Sequence, residues 1–505
     1  MISRSKNLYR ALLLTSFLLV NGAIIYGIAA GWSFLNTGAD RSTMLHLSGT
    51  LEESYFPEVN WDLDQQEGRP MELQTLGELE QDYRNAWYVR SLGLLNNDRF
   101  GLDDYFTTDA REKLFQQLDL NIAAQITVKS TTLQHNPQLD FYSLDGKLVV
   151  LTDHNVQGYR QIFRDGSSIH EGRTQESFRV ILLLEDGFWR IRQLVKIPHE
   201  SHPDPTPSRE FSLESNKGIN YYPKGQPWGL FGEDFDPIRI ETDFRTLAEA
   251  GFNSVRIFVP YEDFGNAQVP EVALGQLREV LELAQNQQLQ VLVTLFDFYG
   301  NYDILDWTRT YRHAQTVVNA LKDHPALLGW DLKNEPDLDF ESRGKDNVLN
   351  WLRLLSENMR TWDPNHPLTI GWSSPEAAIH LKEEVDFISF HYYGEPEDLE
   401  ARYRDLRKAA GNKPLVLEEF GKSSYSGFWN VFSGSEEKQA AYLEELQSFI
   451  KEEELSSYLW TLHDFDQVPN RVVGRLPWRK AYQRHFGILD TEGNPKAAFE
   501  IVTEK

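Results

Sequence analysis

From about residue 215 to the C-terminus, short runs of β-branched and aromatic residues alternate with longer stretches whose apolar positions recur every three or four residues. The short runs predict buried strands, and the longer stretches predict amphipathic helices. The predicted strands are Gly218–Tyr221, Ser254–Val259, Gln290–Phe296, Leu327–Leu332, Leu368–Trp372, Asp386–Phe390, Leu415–Glu418 and Ser456–Leu462. Eight strands alternating with helices over about 290 residues fit a closed, parallel (β/α)8 barrel.

A doubly wound open sheet is the alternative arrangement for such an alternation. That fold places a glycine-rich, phosphate-binding turn directly after its first strand. The segment Asn220–Lys224, which follows the first predicted strand, is not such a turn. We therefore expect residues 215–505 to form a (β/α)8 barrel domain.

The pattern before the barrel predicts a separate α+β domain over residues 74–198. Apolar positions at helical spacing come first, beginning at Leu76, and strand-like runs separated by Asp-Gly pairs follow. The predicted strands are Gln125–Thr132, Leu139–Ser143, Lys147–His154, Gln157–Phe163, Thr174–Leu184 and Trp189–Lys196. Proline-rich residues 199–214 predict a linker, because they suit neither a helix nor a central strand.

The N-terminal stretch Ala11–Trp32 contains no charged residue and is long enough to cross a bilayer as a helix. Its preceding flank is basic, which predicts a cytoplasmic N-terminus and an extracytoplasmic catalytic domain, periplasmic or extracellular. A cleaved signal peptide is the alternative, although the apolar run is longer than usual for one. We expect a single-pass cell-membrane protein, with an anchor over residues 1–34 and a tether over residues 35–73.

Composition narrows the function classes. The formal net charge of −26 argues against nucleic acid as a partner, because phosphate backbones repel an acidic protein. The absence of cysteine excludes disulfides and thiol chemistry. No metal-ligand spacing stands out, so we expect no cofactor. An aromatic content of 12% suits stacking on sugar rings as well as ordinary core packing.

Candidate functional residues stand at the C-terminal ends of the predicted strands, which meet on one face of a barrel. They are Arg256, Asp297, Asn334, Glu335, Trp372, His391, Tyr393, Glu419 and Trp460. A buried carboxylate is costly unless its site is built to hold it. Glu335 and Glu419 are 84 positions apart (419 − 335), so their convergence would reflect the fold and predicts a catalytic pair.

This set of residues resembles the retaining glycoside hydrolases of the large (β/α)8 clan, and within it the cellulase-like family 5. The segment Asn334-Glu335-Pro336 matches that clan's acid/base motif, and Glu419-Phe420-Gly421 matches its nucleophile motif. Other matching positions are Arg256, His391, Tyr393 and Trp460. Strand three ends on Asp297, where many relatives carry histidine, so the donors around the bound sugar differ from the family pattern.

The resemblance implies roles for these residues. Glu335 is expected to be the general acid/base and Glu419 the nucleophile, which Arg256 keeps ionised and Tyr393 contacts. Asn334 is suited to the sugar 2-hydroxyl, His391 to the acid/base or the substrate, and Trp460 to the floor of the sugar subsite. Glu418 is a rival for the nucleophile, but strand alternation predicts that Glu418 and Glu419 face opposite sides.

Residues 74–198 resemble the NTF2-like cone fold through the runs Tyr83–Trp87 and Glu176–Arg192. We see no His–Asp or Tyr–Asp set placed for chemistry, so the resemblance implies a non-catalytic accessory domain that contacts an envelope protein partner.

Together these observations predict a membrane-anchored, endo-β-glycanase-like retaining hydrolase that cleaves a β-linked polysaccharide or oligosaccharide of β-glucan or β-mannan type. Internal and terminal cleavage both stay open. Transglycosylation uses the same mechanism and stays open. The alternative is a non-catalytic glycan-binding or scaffold subunit of an envelope polysaccharide synthesis or export complex. The intact carboxylate pair favours the enzyme.

Overall fold

The computed structural model describes residues 17, 19–21, 24, 55–198, 216–427 and 434–503. The predicted linker over residues 199–214 lies outside the described residues. The described chain forms an N-terminal α+β unit followed by a barrel.

The sequence predicts a membrane-spanning helix over Ala11–Trp32, of which only residues 17, 19–21 and 24 are described. In the part of the chain that the structure describes, no helix combines the length and the apolar character needed to cross a bilayer. The predicted cell-membrane location is corrected on this finding, and most of the predicted anchor over residues 1–34 lies outside the described residues.

The N-terminal unit packs helices against one face of a largely antiparallel sheet. Its helices are α1 (Leu73–Asn96), α2 (Leu102–Tyr105) and α3 (Thr108–Ala123). Its strands are β1 (Glu58–Val59), β2 (Glu67–Gly68), β3 (Ile126–Tyr142), β4 (Leu148–Arg164), β5 (Ser167–Glu185) and β6 (Phe188–Ile197). Helix α1 buries Leu79, Tyr83, Trp87 and Leu94, which recur at helical spacing, in the core beneath the sheet.

Strands β3 and β4 are each longer than predicted, because each joins two of the predicted strands. Register shifts between Thr132 and Gln134 and between Asp153 and Val156 let the ladders continue across polar residues that look like turns in the sequence. The similarity of this unit to the NTF2-like cone fold stays a prediction.

A buried polar network crosses the core of the N-terminal unit, although the sequence analysis found no such set. The Tyr83 hydroxyl donates to Oδ2 of Asp153 at 2.6 Å, and Nδ1 of His135 lies 2.7 Å from the same oxygen. All three side chains are fully buried. Because no substrate can reach these groups, the network stabilises the core and leaves the expectation of a non-catalytic unit unchanged.

The described end of the predicted tether packs on this sheet. Strands β1 and β2 both pair with β3 in parallel, and Tyr55 is buried. The sheet in turn contacts the barrel: Nζ of Lys129 lies 2.9 Å from Oδ2 of Asp303, and the rings of Tyr159 and Trp307 are 4.8 Å apart. The N-terminal unit therefore lies directly against the barrel wall.

The barrel strands are β7 (Lys217–Asn220), β8 (Ser254–Pro260), β9 (Gln290–Asp297), β10 (Leu327–Asn334), β11 (Leu368–Trp372), β12 (Ile388–Tyr392), β13 (Leu415–Phe420) and β14 (Ser456–Leu459). The helices are α4 (Pro237–Glu249), α5 (Glu271–Asn286), α6 (Trp307–Leu321), α7 (Lys345–Trp362), α8 (Pro396–Ala410), α9 (Glu436–Glu452), α10 (Asn470–Val473), α11 (Pro477–Gln483) and α12 (Ala497–Thr503).

Each barrel strand pairs in parallel with the next, and β14 pairs with β7 to close the circle. The predicted eight-stranded barrel is confirmed. Its strands are buried on both faces, as the continuous apolar runs in the sequence indicate.

Candidate active site

A cavity of about 350 Å³ opens at the C-terminal ends of the barrel strands. Six of the predicted site residues line it: Asp297, Asn334, Glu335, Tyr393, Glu419 and Trp460. The segment that follows β14, which includes α10 and α11, supplies another wall through Val472, Tyr482 and Phe486. Arg256 and His391 lie behind the cavity surface, fully buried, in contact with the two carboxylates.

The two glutamates reach the cavity from separate strands. Glu335 follows β10 in a left-handed backbone conformation (φ 46°), and its N–H donates to the carbonyl oxygen of Gly371 at 2.7 Å. A non-glycine residue in this region carries backbone strain, which is common at functional sites. One oxygen of Glu335, one oxygen of Glu419 and one ring nitrogen of His391 all lie within 4.8 Å of one another.

Glu419 is held by one donor from β8 and one donor from the residue that follows β12. Nη1 of Arg256 lies 3.2 Å from its Oε2, and the hydroxyl of Tyr393 donates to its Oε1. Arg256 is fixed in turn by Asp331, whose Oδ2 accepts from Nη2 at 2.6 Å, and by Oδ1 of Asn334 at 2.9 Å. Every described contact of the Glu419 carboxylate oxygens with a donor therefore favours its ionised form.

His391 lies between the two glutamates. Its Nδ1 is 3.0 Å from Oε1 of Glu335 and 3.7 Å from Oε2 of Glu419. Burial alone would lower the pKa of His391, but the charge of Glu419 and the contacts with Glu335 and Glu418 raise it to about 10. The imidazole is therefore protonated at neutral pH.

The pKa values of the two glutamates move in opposite directions. Burial raises that of Glu335, but the hydrogen bond with His391 and the positive charges of His391 and Arg256 bring it below its ordinary value. The pKa of Glu419 is raised, chiefly by burial and further by the charge of Glu335, while His391, Arg256 and Tyr393 limit the rise. The site therefore keeps the two carboxyl groups chemically distinct.

The interpretation of Glu418 by strand alternation is wrong. The register between β12 and β13 shifts between Phe390 and His391, so that Glu418 stands at a bulge. Its fully buried carboxylate lies 3.6 Å from Nη2 of Arg256 and 3.6 Å from Nε2 of His391, beneath the cavity. Both glutamates of β13 therefore face the same cluster, but only Glu419 lines the cavity.

A glycine on β11 makes room for this buried cluster. A Cβ atom at Gly371 would lie 2.6 Å from Oε2 of Glu418 and 2.7 Å from Nη2 of Arg256. Neither neighbour can retreat easily, because both are fully buried. Only a residue without a side chain fits there.

Trp372 does not reach the cavity, so its expected contact with substrate is corrected. Its ring is 1% exposed and packs 5.6 Å from the ring of His380 and 6.2 Å from that of Phe340. Hydrophobic packing between the barrel and the segment after β10 accounts for this tryptophan. Trp460, by contrast, lines the cavity beside Trp228, with ring centroids 5.8 Å apart.

Several cavity residues are missing from the sequence analysis. The hydroxyl of Tyr222 donates to Oδ2 of Asp297 at 2.9 Å, and the Tyr222 ring stacks on Phe258 at 5.0 Å. Burial raises the pKa of Asp297 to about 6, against the lowering effect of the Tyr222 hydrogen bond. Lys333 is buried nearby, which lowers its pKa. Tyr222 follows the first predicted strand, so its position at a strand end could have identified it as a candidate site residue.

The groups that could hold a metal are Glu335, His391 and Glu419, each offering one ligand atom. The neighbouring carboxylates raise the pKa of His391 to about 10, so a cation would have to displace a proton from this ring. The set is therefore better suited to proton transfer than to metal binding.

A carboxylate pair in an aromatic cavity at the C-terminal face of a (β/α)8 barrel is typical of glycoside hydrolases. Residues 215–466 match the model of the family described as cellulase (glycosyl hydrolase family 5). The barrel of this chain belongs to glycosyl hydrolase family 5.

Curated relatives cover the chain in part. It is 24% identical over 318 residues to the beta-glucuronidase of Homo sapiens, across 57% of this chain and 43% of that protein. It is 26% identical over 221 residues to mannan endo-1,4-beta-mannosidase 3 of Solanum lycopersicum, across 36% of this chain and 53% of that protein. The chain therefore spans about half the length of these relatives.

Solved structures include the exo-beta-1,4-mannosidase Op5Man5 from Opitutaceae bacterium strain TAV5. That structure aligns with a TM-score of 0.46 at 20% identity, over 57% of this chain and 58% of that chain.

Proposed function

We propose that this chain hydrolyses β-glycosidic bonds in a mannan- or glucan-type chain by double displacement, with Glu335 as acid/base and Glu419 as nucleophile. The observation that carries the proposal is the placement of oxygens of both carboxylates within 4.8 Å of each other. Retaining enzymes hold their carboxyl groups about 5–5.5 Å apart, whereas inverting enzymes leave about 6.5–9.5 Å for a water molecule.

The nucleophile must attack as an anion. Arg256 and Tyr393 both contact the Glu419 carboxylate, so donors are present before substrate arrives. Attack of Glu419 on the anomeric carbon breaks the bond to the leaving oxygen and forms a covalent glycosyl-enzyme.

The leaving oxygen needs a proton, and Glu335 with His391 supplies it. At neutral pH this proton resides on His391, 3.0 Å from Oε1 of Glu335. Its transfer to Glu335 and onward to the leaving oxygen leaves a neutral imidazole. In the second step Glu335 takes a proton from water, which attacks the glycosyl-enzyme, and the imidazole is protonated again.

Aromatic side chains suit the apolar faces of a sugar ring. Tyr222, Trp228, Phe258 and Trp460 form one wall of the cavity. Asp297 and Asn334 supply polar groups for the ring hydroxyls. The similarity to the mannan endo-1,4-beta-mannosidase of Solanum lycopersicum supports a β-mannoside as substrate and internal cleavage as the proposed mode.

A product analysis tests this proposal. With β-mannan and β-glucan oligosaccharides, proton NMR at the earliest time points should show the β-anomer as the first product, and size analysis should show internal cleavage. An α-anomer as first product would contradict double displacement, and release of monosaccharide alone would contradict internal cleavage. No turnover of any β-glycan would instead support the alternative of a glycan-binding subunit.

A further inference from the structure

A second cavity, also of about 350 Å³, lies in the N-terminal unit, between α1, α3 and strands β3 to β6. It is remote in sequence from the catalytic carboxylates. Eight of its fourteen lining residues are apolar, among them Leu94, Phe106, Leu114, Val128, Ile162 and Phe178, and the other six are polar or charged. Cavities of this size are typical of small-molecule sites.

The charged groups in this cavity oppose the charge of the whole protein. Arg90, Lys113, Arg160 and Lys196 line it, together with a single acid, Glu176. This local excess of positive charge stands in a chain whose formal net charge is −26. An anion that approaches the acidic protein therefore finds a favourable potential here.

The one acid is already paired. Oε2 of Glu176 lies 3.2 Å from Nη2 of Arg160, and its Oε1 lies 2.9 Å from Nζ of Lys196. These two contacts use both oxygens of the Glu176 carboxylate. Glu176 is thus not positioned to neutralise Arg90 by direct contact.

Arg90 projects from α1 into the cavity with only an aromatic contact. Its guanidinium stands 5.5 Å from the centroid of the Trp87 ring, and it has no hydrogen bond or ion pair with any residue the structure describes. Burial and the charge of Arg160 lower the pKa of Arg90 to about 10, against the raising effect of the charge of Glu176, so burial weakens the charged form of Arg90. A carboxylate would relieve this, because the planar guanidinium matches it with two parallel hydrogen bonds.

We propose that the cavity binds a small amphiphile that carries one carboxylate on an unbranched apolar chain, with the carboxylate on Arg90 and the chain against the apolar wall. This site is separate from the proposed glycosidase function and does not depend on it.

Isothermal titration of the full chain with decanoate, decanol and decylamine tests the charge requirement. All three probes share one alkyl chain and are used below their aggregation limits. Decanoate should bind about tenfold or more tighter than decanol, and decylamine weakest, because only the carboxylate satisfies Arg90. Equal affinity for decanoate and decanol, or tighter binding of glucuronate than of decanoate, would overturn the proposal.

Two variants locate the site. Arg90→Met should weaken decanoate binding about tenfold or more, whereas the matched control Arg192→Met, at an exposed arginine of the same unit, should leave it within about twofold. Leu194→Trp, which fills the cavity while keeping Arg90, should also abolish binding. Thermal unfolding verifies that each variant folds. Folded Arg90→Met or Leu194→Trp protein that binds decanoate as the parent does would refute the site.

Discussion

Nδ1 of the buried imidazole of His391 lies 3.0 Å from Oε1 of Glu335. Glu335 makes this contact from a left-handed backbone conformation with φ 46°. This contact couples two titrating groups. The histidine holds a proton to about pH 10, and the same contact helps to keep the glutamate ionised below its ordinary range. His391 and Glu335 therefore hold jointly the proton that the leaving group receives.

The pH profile of kcat/KM should be wide. Only ionised Glu419 can attack, and its pKa is raised, so activity should be lost as pH falls through a value above the ordinary glutamate pKa of about 4.3. On the alkaline side, activity should be lost as His391 releases its proton near pH 10. Initial rates on a β-mannan oligosaccharide across this range would measure both limbs.

Replacing the histidine should narrow that profile from the alkaline side. In His391→Gln the hydrogen bond that lowers the pKa of Glu335 is lost, so Glu335 itself must hold the proton. The pKa of Glu335, which is lower than that of His391, then sets the alkaline limb. The control His380→Gln lies outside the cavity and should leave the limb in place. An unchanged alkaline limb in folded His391→Gln would show that the shared proton is not the catalytic one.

Chemical rescue should separate the roles of the two glutamates. Glu419→Gly removes the nucleophile, and added azide should enter from the vacated face to give an α-glycosyl azide. Glu335→Ala removes the acid/base; with an activated aryl glycoside, azide should attack the glycosyl-enzyme and give the β-glycosyl azide. Removing a general acid typically costs about 10²–10⁴-fold in rate. Swapped product configurations would reverse the two assignments.

The barrel follows from the sequence because its evidence is local and repeated. Each strand from β7 to β14 is a short apolar run between helical stretches, so an error of a few residues at one end leaves the topology intact. The position of Glu418 could not be predicted in this way. A single-residue shift in pairing with β12 cancels the alternation rule, and register is a property of two strands together.

The sequence pattern also could not predict which strand-end residues are buried or which residues form the cavity walls. Trp372 stands at a strand end like Trp460, but Phe340 from the segment after β10 and His380 from the segment after β11 cover it with their rings. The wall formed by Val472, Tyr482 and Phe486 comes from a segment without strand periodicity. The sequence thus predicts where strand ends converge, but the loops decide which of those side chains meet the cavity.

Asp297 should govern the pH dependence of substrate affinity. Its carboxyl group has a pKa of about 6, so above that pH it is an anion that accepts hydrogen bonds from sugar hydroxyls, and KM should fall as pH rises through 6. Asp297→Asn should remove this dependence and raise KM roughly tenfold or more, with a smaller effect on kcat, as the loss of a charged hydrogen bond of about 1.5–3 kcal/mol implies.

The variant Tyr222→Phe provides the matched test of that interpretation. The hydroxyl of Tyr222 donates to Asp297 at 2.9 Å, and this hydrogen bond lowers the pKa of Asp297. The substitution removes that hydroxyl. The midpoint of the KM transition should therefore move to higher pH, whereas a parent-like midpoint would place the transition on another group.

Glu418 and Glu419 should respond differently to the same isosteric change. Glu419→Gln removes the nucleophile and should abolish turnover. Glu418→Gln keeps the shape of a fully buried side chain but removes the negative charge 3.6 Å from Nε2 of His391. That charge helps to raise the pKa of His391, so the alkaline limb of kcat/KM should move to lower pH while KM and the rate at neutral pH stay close to the parent values. Rates and thermal unfolding of both variants would be measured together. If Glu418→Gln folds but loses turnover while Glu419→Gln retains it, Glu418 is the nucleophile. The placement of Glu418 beneath the cavity at the bulge in β13 would then be wrong.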